Sequence, residues 1–364
     1  MFQDVTAWLE QAVRAQVCSG AALAVAWPGG REVHHVGRTA RLPEPGEVVG
    51  PGTQFDLASL TKPLVSLTIL TQLLGEGRLT LADRLDLHLH EAAGTPLGQA
   101  TLGQLASHAA GAPAWLDFWQ RTQPGPDRRA EVLRRVLGTA PESTPGTRAT
   151  YSDLGYIALG AMLEAVLGQP LDVLYAQRVA APLGLGATYR RLSQPRETKD
   201  VVATEVWPPR CPDGLPLRGL VHDDNAAAMD GVAGHAGLFA SAEDVLTQGQ
   251  AWLAAWQGDP GPLHLDPALV RRLTTTSGAP ATTWRHGWDT PTRPGSTAGD
   301  RVPDGAFGHL GFTGTSLWLA PHQGSVVVLL TNRVHPDRGP TEGIRALRRA
   351  VHDAVWERVQ ARAP

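Results

Sequence analysis

At 364 residues the chain exceeds the roughly 250–300 at which a single hydrophobic core stops growing, so two lobes are expected. Hydrophobic residues at 42% suffice to fill them, and 40 glycines with 29 prolines stay below the roughly 25–30% share of low-complexity chains, which excludes a disordered or fibrous protein. A formal net charge of −3 without any Lys/Arg run argues against nucleic acid as a partner.

Met1 to Val5 has neither the basic nor the apolar stretch of a signal peptide, and no run of 18 apolar residues follows. Cys18 and Cys211 are far apart and lack metal-ligand spacing. The expectation is a cytoplasmic protein with no membrane contact and no disulfide framework. Residues 4–17 carry Val5, Leu9, Val13 and Val17 at helical spacing. Ala21 to Trp27 is an apolar run, Pro28-Gly29-Gly30 a turn, and Arg31 to Gly37 alternates enough to pair back as a hairpin. A Pro/Gly-rich loop spans Pro43 to Gly52. Leu60, Leu64, Leu67, Leu70 and Leu74 predict a helix that begins near Ser59, with Pro63 in its first turn.

From Thr80 to Ala233 the patterns are mostly helical, broken by Pro and Gly. Ser241-Ala242-Glu243-Asp244 reads as a capping box that opens a helix. Residues 121–127, 258–262 and 290–305 are loops by composition. Ser316 to Ala320 and Ser325 to Thr331 form a second hairpin about the turn Pro321 to Gly324. Gly339 to Arg362 predicts a closing helix with Ile344, Leu347, Val351 and Val355 on one face. Helix and hairpin at the start mirror hairpin and helix at the end. One α/β lobe is therefore expected from residues 1–80 and 234–364, with a mostly helical lobe, 81–233, inserted and the active site between them.

Three short patterns carry chemistry. In Ser59-Leu60-Thr61-Lys62 the serine sits at the positive end of a helix dipole, and the lysine returns to the same face three residues on. Only two lysines exist, Lys62 and Lys199, against 30 arginines, and arginine cannot serve as a base. Tyr151-Ser152-Asp153 follows Pro145-Gly146 and precedes a helical pattern, which places Tyr151 at a loop-to-helix junction, held but exposed. His309-Leu310-Gly311-Phe312-Thr313-Gly314 leads into the strand near Leu317, and Gly311 lets the backbone approach a ligand closely. Taken singly, each has a plainer reading: a helix cap, a packing residue, a strand-end histidine.

Together, in this order and at this spacing, they resemble the serine β-lactamase and penicillin-binding-protein superfamily, most closely its class C β-lactamase-like branch of esterases, D-amino-acid peptidases and related serine hydrolases. Leu105 to Gly111, Leu183-Gly184-Leu185 and Gly237-Leu238-Phe239 resemble that branch too, and the likeness runs from about residue 5 to 360. It implies a mainly antiparallel sheet flanked by helices. It also implies Ser59 as nucleophile, Lys62 as its motif partner, Tyr151 as the proton-transfer residue, and an oxyanion hole from the backbone N–H groups of Ser59 and Phe312. Asp153 stands where many members have Asn, and His309 where many have Lys. Asp153 is expected to pair with Lys62 and keep it charged, leaving Tyr151, its pKa lowered by Lys62, as the base. Losing the Lys charge at His309 lowers the expectation of efficient β-lactam hydrolysis.

His222, Asn225 and His235 form a polar cluster that either shapes the pocket or caps a surface loop. Trp115, Trp119, Trp284 and Trp288 either line a cleft or pack in the core. His88 and His90 have no defensible ligand spacing, and neither metal nor cofactor is implied. The expected function is hydrolysis of a small ester, amide or peptide-like substrate through an acyl-serine. The alternatives are a D-amino-acid peptidase or amidase, and a family member that binds without turnover.

Overall fold

The computed structural model describes residues 2–195 and 198–361. Strands β1 (Gly20–Trp27) and β2 (Gly30–Gly37) form the first hairpin, with Ala22 opposite His35 and Ala24 opposite Val33. Strands β3 (Phe55–Asp56), β4 (Thr188–Tyr189) and β5 (Leu238–Ala240) are short, and β6 (Phe307–Leu310), β7 (Ser316–Ala320) and β8 (Ser325–Thr331) follow. Five of the eight make one antiparallel sheet in the order β2-β1-β8-β7-β6. The other three form a small antiparallel sheet, β3-β5-β4.

Alternate residues of a strand point to opposite faces, and here both faces of the central strands are covered. Leu23 and Val25 of β1, with Val327 and Leu329 of β8, pack against Val5 and Leu9 of the helix Gln3–Arg14 and Val351, Val355 and Trp356 of the closing helix Glu342–Gln360. On the other face Ala22, Ala24 and Ala26 join Val326, Val328 and Trp252 of the helix Ala242–Gln257. The alanines keep that face shallow. A Cβ on Gly249 would lie 2.8 Å from Val326, so the helix rests directly on β8. Ser241 and Asp244 form the expected capping box at its start. The end of the closing helix predicted at Arg362 falls outside the described residues.

Two local expectations need correction. The helix predicted from Ser59 is not regular. A 3₁₀ turn, Ala58–Leu60, is followed by wider π-type turns over Lys62–Leu67, and α-geometry begins only at Thr68–Gly75. Pro63 has no N–H to give, and the Thr68 hydroxyl takes up its carbonyl at 2.9 Å. The middle of the chain is helical over Arg128–Leu137, Asp153–Leu167 and Leu171–Leu183, but residues 190–195 and 198–222 are irregular. Pro195, Pro208, Pro209, Pro212 and Pro216 interrupt this stretch, and pairing there, among the described residues, is confined to isolated bridges such as Ala203–Arg218. Cys18 and Cys211 are both buried and unpaired. Among the described residues no single helix is long and apolar enough to cross a membrane.

Candidate active site

The approach to Ser59 is strained and held. Ala58 has φ +46°, a left-handed conformation costly for a residue with a side chain. The buried Asp56 carboxylate sustains it, accepting the Ala58 N–H at 2.8 Å and the His222 N–H at 2.6 Å. Burial pushes the Asp56 carboxyl up, so those two amides are what holds it in the protein. The outcome is a half-buried Ser59 whose backbone N–H donates to no described residue.

Lys62 is completely buried, and its ammonium is saturated. It donates to Ser59 Oγ at 2.8 Å, to Asp153 Oδ1 at 2.6 Å and to the His235 carbonyl at 3.3 Å. Burial alone would lower its pKa, but Asp153 above all and then Tyr151 raise it on balance. Lys62 is thus held charged by Asp153, as the departure from Asn led us to expect. Asp153 opens the helix Asp153–Leu167, capped by Ser152, where its charge also meets the helix dipole.

Tyr151 precedes that helix and is half-buried rather than exposed. Its phenol faces Lys62 and Ser59, and the Lys62 nitrogen lies 4.8 Å from its ring centre. The expected lowering of its pKa is not found. Burial raises it, Lys62 only partly opposes this, and Asp153 raises it further. The same carboxylate that keeps Lys62 charged repels a phenolate, so Tyr151 is protonated at neutral pH. Trp284 stacks on it at 4.8 Å, while Trp288 is fully buried, Trp119 half-buried and Trp115 exposed.

The opposite wall is the end of β6. His309 is buried, and burial, then Lys62, push its pKa down to about 3. The neutral ring donates Nδ1–H to the Leu310 carbonyl at 2.8 Å, which leaves Nε2 as a lone pair with no partner among the described residues. Beyond it, Thr313 and Thr315 donate to the carbonyls of Asp56 and Leu57 at 2.7 and 3.0 Å and tie this turn to the chain entering Ser59. A Cβ on Gly311 would fall 2.0 Å from Thr315 Oγ1, so only glycine fits. Phe312 is half exposed, and its N–H, like that of Ser59, donates to no described residue. The two amides without a partner among the described residues thus belong to segments that Thr313 and Thr315 tie together. That arrangement can stabilise an oxyanion.

The secondary cluster divides. His235 is buried, with Nε2 2.9 Å from Asp223, and serves the site through its carbonyl on Lys62. His222 stacks behind Phe312 at 5.6 Å and faces Glu205. Asn225 is fully buried, accepting from the Trp119 N–H and donating to the Leu116 carbonyl, so it anchors a loop rather than facing a substrate. Asp153, Asp223 and His235 each offer an atom within 4.8 Å of the others, a spacing a metal could use. The Lys62 ammonium already supplies the positive charge there. His88 is instead paired with Asp83 at 2.9 Å.

Sequence reasoning assigned no role to His108. It has φ +59°, packs 4.6 Å from Tyr151 and accepts the Ser152 N–H, so its Nε2 bears a proton with no acceptor among the described residues. Its small neighbours Ala109, Ala110 and Gly111 were the available signal of a tight turn.

A protein-family model described as Beta-lactamase matches residues 5–352. A protein of Escherichia coli (strain K12), provisionally named a D-alanyl-D-alanine carboxypeptidase, is 32% identical over 311 residues, 78% of this chain and 70% of that one. An N-acetylmuramyl-L-alanine amidase of Bacillus subtilis (strain 168) is 31% identical over 309 residues, 78% of this chain and 68% of the relative. Among solved structures, EstCE1, described as a hydrolase with promiscuous acyltransferase activity, superposes with a TM-score of 0.75 at 21% identity over 97% of each chain. The last likeness bears on the fold.

Proposed function

The chain belongs to the β-lactamase family and is a serine hydrolase, and on that premise we propose that Ser59 is its nucleophile, assisted by Lys62 and Tyr151. The observation that carries this is the contact set of Lys62: one buried ammonium 2.8 Å from Ser59 Oγ and 2.6 Å from Asp153, with the Tyr151 phenol against both. Because Tyr151 is protonated, it acts as a relay and not as a standing base. As Ser59 Oγ bonds to the substrate carbonyl carbon, its proton passes to the Tyr151 oxygen, and the Tyr151 proton passes to the departing oxygen or nitrogen. Lys62 stabilises the charge that grows on Oγ. The Ser59 and Phe312 amides receive the oxyanion, and one such amide is worth about 2.7–4 kcal/mol. Water then cleaves the acyl-serine, its proton returning through Tyr151 to Ser59 Oγ.

The substrate we propose is a small ester or amide. A neutral His309 offers no fixed charge for a substrate carboxylate at the strand edge. The names of the Escherichia coli and Bacillus subtilis relatives favour a second reading, cleavage of D-amino-acid peptides or muramyl amides. Steady-state rates on p-nitrophenyl esters, D-alanyl peptides and β-lactams, for wild type and Ser59→Ala, test both. Wild type should turn over at least one class and Ser59→Ala none. Turnover by Ser59→Ala at the wild-type rate would remove Ser59 from the mechanism.

A further inference from the structure

The turn that carries the Phe312 amide is gripped from behind by two guanidinium groups that pair with no carboxylate among the described residues. Arg333 Nε donates to the Phe312 carbonyl at 2.8 Å, and its guanidinium lies 4.4 Å from the Phe312 ring. Arg348, on the closing helix, is 7% exposed. Its Nη2 donates to the carbonyls of Gly311 at 2.9 Å and Thr315 at 2.6 Å, while its Nε finds no acceptor among the described residues. Burial, then Arg333, push the Arg348 guanidinium down to about 9, which leaves it charged at neutral pH.

An uncompensated buried cation is destabilising. Arg348 falls on the same helical stripe as Ile344, Leu347, Val351 and Val355, where an apolar residue would pack without that cost. The position of its hydrogen bonds suggests what offsets it. The Gly311 carbonyl and the Phe312 N–H are the two ends of one peptide unit. A cation on the oxygen draws electron density from the nitrogen and makes the N–H a stronger donor. The same contact fixes the peptide plane, and the Gly311 N–H donates to the Thr315 carbonyl at 2.8 Å, which holds the residue from its other side.

We propose that Arg348 is a positioning residue for acyl transfer: through the Gly311 carbonyl it orients and polarises the Phe312 amide, so that its charge acts when the oxyanion forms. This rests on the reading of Ser59 and Phe312 given above. Substrate binding leaves the carbonyl oxygen nearly neutral and gains little. The tetrahedral intermediate carries a full charge and gains most.

The test compares Arg348→Lys, which keeps a cation, Arg348→Gln, which keeps a neutral donor, and Arg348→Met, which keeps neither. Rates are expressed per active site titrated with a fluorophosphonate, so that misfolded protein is not counted. Affinity for an arylboronic acid, which forms a tetrahedral adduct on serine, is measured alongside. Arg348→Met should lower kcat per titrated site by about tenfold or more and change KM by less than about threefold. Boronate affinity should fall in parallel with kcat/KM, and Arg348→Lys should outperform Arg348→Gln. An Arg348→Met rate per site within about twofold of wild type would overturn the proposal. Should that variant not fold, Arg348→Gln matching or exceeding Arg348→Lys would overturn it as well. A boronate adduct on Ser59→Ala would instead sink the nucleophile assignment.

Discussion

The two walls of the site treat charge in opposite ways. On the Ser59 wall, the Lys62 ammonium has three acceptors and a carboxylate partner, and the strained Ala58 is anchored by Asp56. On the strand wall, among the described residues, His309 keeps a free lone pair, the Phe312 amide is unpaired, and Arg333 and Arg348 bond only to carbonyls. A wall whose charged side chains are paired, with the Ser59 amide left without a described acceptor, resists change in its protonation states and so holds the proton-handling groups in register. An unsaturated wall has electrostatic capacity left for charge that arrives with the reaction. Preorganised donors aimed at developing charge are the larger part of many catalytic effects.

The sharpest break in this comparison is Tyr151→Phe. It leaves Lys62 and Asp153 in place but removes the relay, and kcat/KM should fall by about a hundredfold or more with the melting temperature unchanged. A loss below about tenfold would mean that Lys62 takes the Ser59 proton directly.

Asp153→Asn attacks the pairing itself. Asp153 is the foremost group raising the Lys62 pKa, so its neutral replacement moves that pKa down. If the cation is what activates Ser59, activity is present below the Lys62 pKa and lost as pH rises through it. Wild type should therefore keep its kcat/KM to higher pH than the variant, whose alkaline loss of activity should move down. A wild-type rate that climbs steadily toward pH 10 would show that the phenolate is required after all.

A smaller effect is expected on the strand wall. His309→Lys adds a charge at the edge, and the ratio of kcat/KM for a carboxylate-bearing substrate to that for its neutral ester should rise by roughly tenfold. An unchanged ratio would place substrate carboxylates elsewhere. The last effect is on stability in acid rather than on rate. Burial holds His309 at about 3 and His286 and His352 at about 4 in the folded protein. The unfolded chain binds those protons first, so stability should fall as pH drops from about 6.5 toward 4. A urea midpoint that stays constant between pH 7 and 4.5 would contradict the burial of these rings.

Much of this was legible in sequence where a single period ruled. Both hairpins, the Ser241 capping box and the closing helix follow from alternation, turn residues and the 3.6-residue stripe. Ser59, Lys62, Tyr151 and His309 were legible as an ordered set, and the Asp153–Lys62 pair as a consequence of one substitution. What was not legible depends on tertiary burial. The direction of the Tyr151 shift turns on desolvation and on a carboxylate across the site, neither of which spacing reveals. Asn225 looked like a pocket residue because its polar neighbours hid that it anchors the loop around Trp119. The irregular entry to the helix after Ser59 arises from Pro63 together with Thr68, where the leucine stripe alone reads as continuous. Arg348 left a trace in the sequence: a charge on an otherwise apolar stripe.

The central claim is that Ser59 is the activated nucleophile. The direct measurement is intact-protein and peptide mass after brief exposure to a serine-reactive phosphonate, for wild type and Ser59→Ala. The account predicts one adduct on wild type, mapped to the peptide containing Ser59, and none on the variant. An adduct on both proteins, or on neither, would contradict it.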